Sequence, residues 1–317
     1  MTELVKNIEK NPLNQSIFSI NKYGKAHAIS HHGELLQGMF FGSDGELYRG
    51  LVTVPCPLFD TKATFFITKN TNVRIVPEYK AKALNAVKFT LSYLGVDKMY
   101  GGCLRIESNV PPRLGFGSST SDVVAAIKAV VNAFGAKLSP EDIAKIAVCA
   151  ETASDSIMYT DRTVLFAHRL GDIIEDFDKK MPDFDVVGFN TDITGQGIDT
   201  LSFSPANYSS QDIEQFRPLH SLLRHAIRKQ DVRLMGKVAH ASAVINQKFI
   251  QKPKFEQVER ICERTGAIGM QVSHSGSLMG IMFDTKEDAL AKKERISYCK
   301  KQLQEIGFNI VWHFQTI

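Results

Sequence analysis

Residues 109–122 read NVPPRLGFGSSTSD and constrain the fold more than any other segment, because they join a strand-like stretch to a helix through glycine and hydroxyl residues. Gly115 and Gly117 allow the backbone to turn tightly and to approach a ligand without a Cβ atom in the way. Residues 118–120 then present backbone amides at the start of an alanine- and valine-rich helix, where the macrodipole favours an anion. The segment therefore predicts a phosphate-binding loop within a domain that mixes strands and helices.

Two better-known phosphate motifs do not fit this loop, and a structural interpretation stays open. A Walker A loop requires a lysine directly after its glycines, and none follows here. A dinucleotide-binding fingerprint requires a third glycine and a later acidic residue at the right distance, and both are missing. Taken alone, the segment is equally typical of a glycine turn with a serine at the start of a buried helix.

The bulk composition predicts a soluble, cytoplasmic protein without a nucleic-acid or membrane partner. The chain has 317 residues, enough for two moderate domains, and a net charge of +4 with acids and bases mixed throughout. Its five cysteines are scattered without a CxxC pair, which argues against a disulfide framework or a zinc knuckle. The polar N-terminus does not resemble a signal peptide, and no apolar run is long enough to span a bilayer.

The order of predicted elements indicates two α+β halves. Alternating and β-branched residues between positions 17 and 75 predict strands, and residues 79–94 show helical spacing. Ser139 followed by Pro140 is typical of a helix start. The polar, acidic stretch 171–185 is a candidate junction, beyond which strands alternate with three helical segments and a final strand–turn–strand–helix–strand pattern. We therefore expect an N-terminal domain over residues 1–175 and a C-terminal domain over residues 176–317.

The phosphate loop resembles the second motif of the GHMP kinases, a superfamily that includes galactokinase and the homoserine, mevalonate and phosphomevalonate kinases. That motif is usually written PxxxGLGSSAA, and this chain has PPRLGFGSSTS, with Phe116 in place of leucine and Thr120 and Ser121 in place of small apolar residues. The resemblance implies that the loop wraps the phosphates of ATP and that Ser119 helps to hold Mg²⁺.

Two further stretches resemble the flanking motifs of the same superfamily, in the same order. Residues 27–38, HAISHHGELLQG, are similar to the first motif, and GELLQG in particular is similar to the L-threonine kinases of cobalamin side-chain assembly. Residues 265–284 resemble the third motif, a glycine- and serine-rich turn between two strands, although alone they are typical of an ordinary β-turn. The resemblance implies that ATP is bound by Pro111, Gly115, Phe116, Gly117, Ser118, Ser119, Thr120, Ser275, Gly276 and Ser277.

A fourth stretch, CAETASDSIMY at residues 149–159, contains two acidic residues for which the resemblance implies chemical roles. Glu151 is implied as a second Mg²⁺ ligand beside Ser119. Asp155 is implied as the catalytic residue that accepts or orients the hydroxyl of the substrate. Without the other motifs, each would be interpreted as a solvated helix-end acid or as the cap of the next turn.

The first motif departs from the superfamily at one position. Galactokinase and mevalonate kinase have an arginine or lysine six residues before the motif glutamate, and that position is Ala28 here. Lys25 lies three residues earlier and would point to the other face of a strand. We therefore assign no basic catalytic residue; the L-threonine kinase branch is similar in lacking one.

Substrate contacts are expected at four residues. Adjacent histidines on a strand face opposite sides, so of His31 and His32 one is expected to line the substrate pocket and the other to be structural. We predict that the pocket residue is His32, beside Glu34. The glycine-rich segment 194–200 adds Asp199 and Thr200 as further candidate contacts.

The resemblance implies an ATP- and Mg²⁺-dependent kinase with the two-domain α+β fold of the GHMP kinases, a ribosomal protein S5 domain 2-like domain followed by a ferredoxin-like domain. The predicted acceptor is the side-chain hydroxyl of an amino acid, above all L-threonine. Two alternatives stay open: a kinase for another small alcohol such as homoserine, serine, a sugar or an isoprenoid alcohol, and a non-catalytic nucleotide-binding protein. The sequence is compatible with a homodimer.

Overall fold

The computed structural model describes residues 19–192, 207–286 and 288–316. Ten strands form one continuous sheet, and seven helices are present in these ranges. The strands are β1 (Tyr23–Phe41), β2 (Leu47–Thr68), β3 (Val73–Val76), β4 (Gly101–Ser108), β5 (Val164–Ala167), β6 (Asp172–Asp176), β7 (Phe184–Asn190), β8 (Gly269–Val272), β9 (Leu278–Asp284) and β10 (Val311–Gln315). The helices are α1 (Ala81–Tyr93), α2 (Ser118–Ala133), α3 (Pro140–Glu151), α4 (Ser210–Lys229), α5 (Val232–Asn246), α6 (Phe255–Arg264) and α7 (Ala289–Glu305).

The helices of the N-terminal half form where the sequence predicts them, for the expected local reasons. Helix α3 begins with a capping box, in which the Ser139 hydroxyl accepts from the Asp142 amide and the Asp142 carboxylate accepts from the Ser139 amide. Pro140 takes the first helical position, where its missing N–H costs nothing. Helix α2 is apolar around most of its circumference and is accordingly buried along nearly its whole length. Helix α2 packs against β1, β2 and β4, whereas α3 packs against α1 and α2.

The sheet crosses from one half of the chain to the other without a break. Its strand order is β10-β7-β9-β8-β1-β2-β4-β3, with β5 pairing to β2 and β6 to β5. The halves meet where β1 pairs antiparallel with β8 at Glu34 and Val272. A buried cluster also mixes both halves, with Val52 and Phe116 from the first and Val186 and Phe314 from the second. The structure is therefore α+β, as predicted.

The candidate junction at residues 171–185 is more ordered than its polarity indicates. It contains β6, which forms an antiparallel hairpin with β5, and it ends in the start of β7. The division into residues 1–175 and 176–317 stays a prediction. In the part of the chain that the structure describes, no helix is both long and apolar enough to cross a membrane.

Candidate active site at the start of helix α2

Glycine geometry shapes the loop that leads into α2. Gly115 and Gly117 have φ values of +106° and +67°, a region that residues with a Cβ rarely adopt. A Cβ at Gly117 would also lie 2.2 Å from the His31 ring. Gly117 is the N-cap of α2 and has no side chain with which to cap the amides of the first turn. Residues 118–120 therefore start the helix without a side-chain cap from residue 117, an arrangement that can bind an anion.

Ser119 and Glu151 meet beside this terminus. The Ser119 hydroxyl donates a 2.6 Å hydrogen bond to Glu151 Oε2, across an interval of 32 residues. Burial raises the pKa of Glu151 to about 7, although the bond from Ser119 lowers it. The second carboxylate oxygen, Oε1, is buried without a hydrogen-bond partner in the described ranges. A hydroxyl and an under-coordinated carboxylate form a hard oxygen donor set, which fits a divalent cation such as Mg²⁺.

Asp155 lies on the other side of the first turn of α2. Its Oδ2 is 2.9 Å from His31 Nε2 and accepts a 3.2 Å hydrogen bond from the Thr120 hydroxyl. Burial raises the pKa of Asp155, but the charge and hydrogen bond of His31 outweigh burial and hold that pKa well below its usual range. Burial likewise lowers the pKa of His31, and the attraction of Asp155 more than reverses this. The two side chains thus form a buried ion pair at the helix terminus.

His32 corrects the expectation that it lines the substrate pocket. Its ring is fully buried among Phe116, Trp312 and Phe314, and its Nδ1 contacts the Gln271 side chain. Burial lowers the pKa of His32 to about 3, so the ring is neutral. Neighbouring residues of β1 face opposite sides, and the ring that reaches Asp155 is that of His31, whereas the His32 ring lies in the apolar core.

Glu34 is held by the third-motif turn. Both of its carboxylate oxygens accept 2.9 Å hydrogen bonds from His274, one from the backbone amide and one from Nδ1. The Glu34 side chain is completely buried, so its carboxylate lies behind His274. One imidazole nitrogen of His31 and one carboxylate oxygen each of Glu34 and Asp155 nevertheless lie within 4.8 Å of one another, so the acidic side of the site is compact.

The turn between β8 and β9 packs directly onto the phosphate loop. The Ser277 amide donates a 3.0 Å hydrogen bond to the Leu114 carbonyl, and the Ser277 hydroxyl is 3.3 Å from the same oxygen. A Cβ at Gly276 would lie 2.5 Å from the Gly115 Cα. Ser275 is partly exposed beside them. The second and third motifs, about 160 residues apart, therefore form one surface on which Ser277 braces the loop.

The remaining predicted residues differ in how they can take part. The Phe116 side chain is buried against Phe59 and Trp312, because an aromatic ring packs better in the core than beside a charged ligand. Phe116 can therefore contact a ligand of the loop only through its backbone. The Phe116 carbonyl accepts a 3.1 Å hydrogen bond from the His31 amide. Pro111 is half-buried at the loop entrance. Asp199 and Thr200 lie outside the described residues.

Three histidines complete the site, of which His31 was expected to be structural and the other two had no predicted role. His31 pairs with Asp155, His274 pairs with Glu34, and the His168 ring lies 5.3 Å from that of His274. Burial and the neighbouring His274 lower the pKa of His168 to about 3, and its Nδ1 is buried without a partner in the described ranges. The strand alternation could have indicated His31, whereas no local signal distinguishes His168.

Comparison with known proteins shows which sequences and folds this chain is similar to. The family descriptions "GHMP kinases N terminal domain" and "GHMP kinases C terminal" match residues 80–159 and 223–301. The L-threonine kinase of Salmonella typhimurium is 24% identical over 82% of this chain and 83% of its own length. That of Citrobacter freundii is 24% identical over 90% of this chain and 93% of its own.

A solved homoserine kinase from Cytophaga hutchinsonii superimposes with a TM-score of 0.68, at 18% identity and over 96% of this chain and 97% of its own. At that identity the likeness concerns the fold alone, and the fold is the two-domain α+β fold expected from the motifs. Two matched family regions, one in each half of the chain, together with this common fold show that the chain belongs to the GHMP kinases.

Proposed function

We propose that this protein is an ATP- and Mg²⁺-dependent kinase that phosphorylates the side-chain hydroxyl of L-threonine. A single observation carries the kinase assignment: an ionised carboxylate lies directly beside a helix terminus that no side chain of residue 117 caps. The distance between Thr120 Oγ1 and Asp155 Oδ2 is 3.2 Å. An anion bound at that terminus would have a proton acceptor directly beside it. Members of the GHMP kinases use ATP as the phosphate donor, which agrees with such a site.

The threonine assignment is supported by sequence similarity rather than by geometry. Both curated relatives described above are L-threonine kinases, and each alignment covers more than four-fifths of the chain. The GELLQG stretch and the alanine at position 28 agree with the same branch. The proposal includes contacts between the protein and the amino and carboxylate groups of L-threonine.

In the proposed reaction the amides of residues 118–120 bind the phosphates and orient the terminal one. Ser119 and Glu151 would hold Mg²⁺, which neutralises phosphate charge when it is bound. Asp155 orients the hydroxyl of the acceptor and takes its proton as the new oxygen–phosphorus bond forms and the bond to the leaving ADP breaks. His31 keeps Asp155 ionised, because its positive charge opposes the effect of burial on the carboxylate.

Release of ADP, measured across a panel of hydroxyl compounds, tests the assignment. L-threonine should give the highest kcat/KM among L-threonine, homoserine, L-serine, mevalonate and a simple sugar. Ser119→Ala and Asp155→Ala should each lower kcat more than ~10-fold, the size expected for lost positioning or proton transfer. Ser297→Ala and Asp183→Asn, at exposed positions, are the matched controls.

The panel separates the alternatives. A different preferred acceptor would overturn the threonine assignment and leave the kinase assignment in place. ATP binding without ADP release from any acceptor would instead indicate a non-catalytic nucleotide-binding protein. Full activity of Asp155→Ala would remove Asp155 from the role of proton acceptor.

A further inference from the structure

Lys252 is a buried lysine that none of the motifs contains. It lies in the connection between α5 and α6, and only 4% of its surface is exposed. Its backbone amide donates a 2.7 Å hydrogen bond to Gln247 Oε1, which holds the connection in place. Its ammonium group donates to the carbonyl of Gly276, in the turn that packs onto the phosphate loop. Lys252, from the C-terminal half, thus places a positive charge where the second motif contacts the third.

The ammonium has more hydrogen-bonding capacity than the protein uses. A lysine has three N–H donors, and within the described ranges the acceptor at Lys252 is one backbone carbonyl, with no carboxylate in a salt bridge to it. Glu34 attracts the charge from a distance, but its two oxygens accept hydrogen bonds from His274. Burial lowers the pKa of Lys252 to about 8. A buried charge without an anionic partner is costly, so it points to a ligand that supplies the missing anion.

The location of Lys252 indicates which kind of ligand that is. The glycine and hydroxyl segment of the phosphate loop, residues 115–121, contains no lysine or arginine. Its anion-binding groups are therefore neutral amides and hydroxyls. Gly276 contacts Lys252 through its carbonyl and is packed against this loop, since a Cβ at Gly276 would be 2.5 Å from the Gly115 Cα. On the other side, the same turn contacts Glu34 through His274.

We propose that Lys252 is an anion-binding residue of this site and that its ammonium binds an anionic oxygen of the bound reactants. Two reactants contain such an oxygen, the nucleotide in its phosphates and an amino acid acceptor in its carboxylate. Lys252 then supplies from the C-terminal half a positive charge that residues 115–121 lack. This inference rests on the proposed kinase function.

The test uses three substitutions and one matched control. Lys252→Met removes the charge and keeps the length of the side chain, Lys252→Gln keeps a donor for Gly276 without the charge, and Lys252→Arg keeps the charge. Lys254→Met is the control, because Lys254 also donates to a backbone carbonyl, that of Ile306, but is exposed two residues further along the chain. Calorimetry measures binding of ATP and, separately, of L-threonine and of L-threoninamide, which lacks the carboxylate.

If Lys252 binds the phosphates, Lys252→Met and Lys252→Gln should weaken ATP binding by about 10- to 100-fold, the range for a lost charge-assisted hydrogen bond. If it binds the carboxylate, the same loss should affect L-threonine and spare L-threoninamide. In either case Lys252→Arg should retain most of the affinity, and Lys254→Met should bind like the wild type.

Affinities within about twofold of wild type for ATP and L-threonine in folded Lys252→Gln would overturn the inference and leave Lys252 as a brace for the turn. A structural brace would also lower the melting temperature of Lys252→Met without selecting between ligands. Because these are binding measurements, they remain informative if the wild-type enzyme phosphorylates none of the acceptors, so a failure of the proposed function is recognised separately.

Discussion

At the scale of single residues, the site is built from buried charges that neutralise one another. His31 pairs with Asp155 and His274 with Glu34, and all four side chains are largely or wholly removed from solvent. Imidazole groups therefore provide positive charge in this site. The position six residues before the motif glutamate, where galactokinase and mevalonate kinase have arginine or lysine, is an alanine here. A histidine differs from a lysine in this setting because it loses its charge near neutral pH unless a carboxylate stabilises it.

The pairing of His31 with Asp155 leads to a prediction about pH. In His31→Gln, burial of Asp155 is no longer opposed by a neighbouring positive charge, so the pKa of Asp155 rises. Asp155 must be ionised to accept a proton, so the acidic limb of the kcat–pH profile should move to higher pH. We also expect kcat at neutral pH to fall about 10-fold.

Steady-state rates of ADP release between pH 5 and 9 measure both effects. His240→Gln is the control, because His240 forms a comparable 2.9 Å pair with Glu259 at a half-exposed position outside the site. An acidic limb that stays where it is in His31→Gln would show that His31 does not govern the ionisation of Asp155.

At the scale of elements, the turn into α2 depends on one backbone conformation. Gly117 combines a left-handed φ with close contact to the His31 ring, so both strain and space exclude a side chain. The loop therefore presents its amides only if position 117 remains a glycine. The same position sets the distance between the helix terminus and β1.

Gly117→Ala should consequently abolish most ATP binding and destabilise the protein. The left-handed conformation alone costs a residue with a Cβ about 1–2 kcal/mol, and the Cβ would lie 2.2 Å from the His31 ring. Gly45→Ala is a close control, since Gly45 has φ +82° and open space around the position of a Cβ. Calorimetry with ATP and thermal unfolding provide the readouts, and equal effects of the two substitutions would contradict the steric argument.

At the scale of the whole molecule, the two halves share a sheet and a core. Strand β1 connects the N-terminal strands to β8, and Phe116 from the phosphate loop packs 5.0 Å from Trp312 on β10. Separating the halves would expose this shared apolar cluster to water. The N-terminal and C-terminal halves of the chain are therefore expected to depend on each other for stability.

We predict a single unfolding transition. Trp312 is the only tryptophan of the chain, so its fluorescence reports the contact between the halves, while far-UV circular dichroism reports all helices. Urea titrations followed by the two signals should give the same midpoint, as a two-state transition requires. Midpoints that differ clearly would show that one half unfolds independently.

The buried His32 predicts a loss of stability in acid. The pKa of His32 is about 3 in the folded protein and 6.5 in an unperturbed histidine, so below pH 6.5 the unfolded chain binds a proton that the folded chain does not. The contribution to stability is therefore present above pH 6.5 and lost as the pH falls toward 3. At pH 5 the loss amounts to about 2 kcal/mol.

His32→Asn removes this titration while keeping an acceptor near the Gln271 side chain. Its unfolding free energy should be lower than that of the wild type at pH 7.5, because packing is lost, but it should decline less between pH 7 and 5. Urea unfolding at both pH values measures the difference. Parallel declines in the two proteins would contradict the assignment of a neutral, buried His32.

Local patterns predicted several of the elements, and a motif resemblance paired two residues that the structure brings together. Ser139 and Pro140 start α3 as expected, and the segment that enters α2 adopts the predicted glycine-dependent turn. Ser119 and Glu151, which the motif resemblance paired, lie within 2.6 Å of one another, although their metal-binding role remains a proposal. Such features depend on residues a few positions apart or on a motif that includes its own spacing, so one sequence contains the information.

Contacts between distant segments were decided by the tertiary structure alone. Whether His31 or His32 faces the site depends on which side of β1 receives the phosphate loop, and Glu34 meets His274 across an interval of 240 residues. Lys252 becomes notable only because the turn at Gly276 is packed against Gly115. Periodicity and capping describe the neighbourhood of a residue along the chain, whereas the partner of a buried charge depends on how strands pair across the sheet, and that pairing has no local signature.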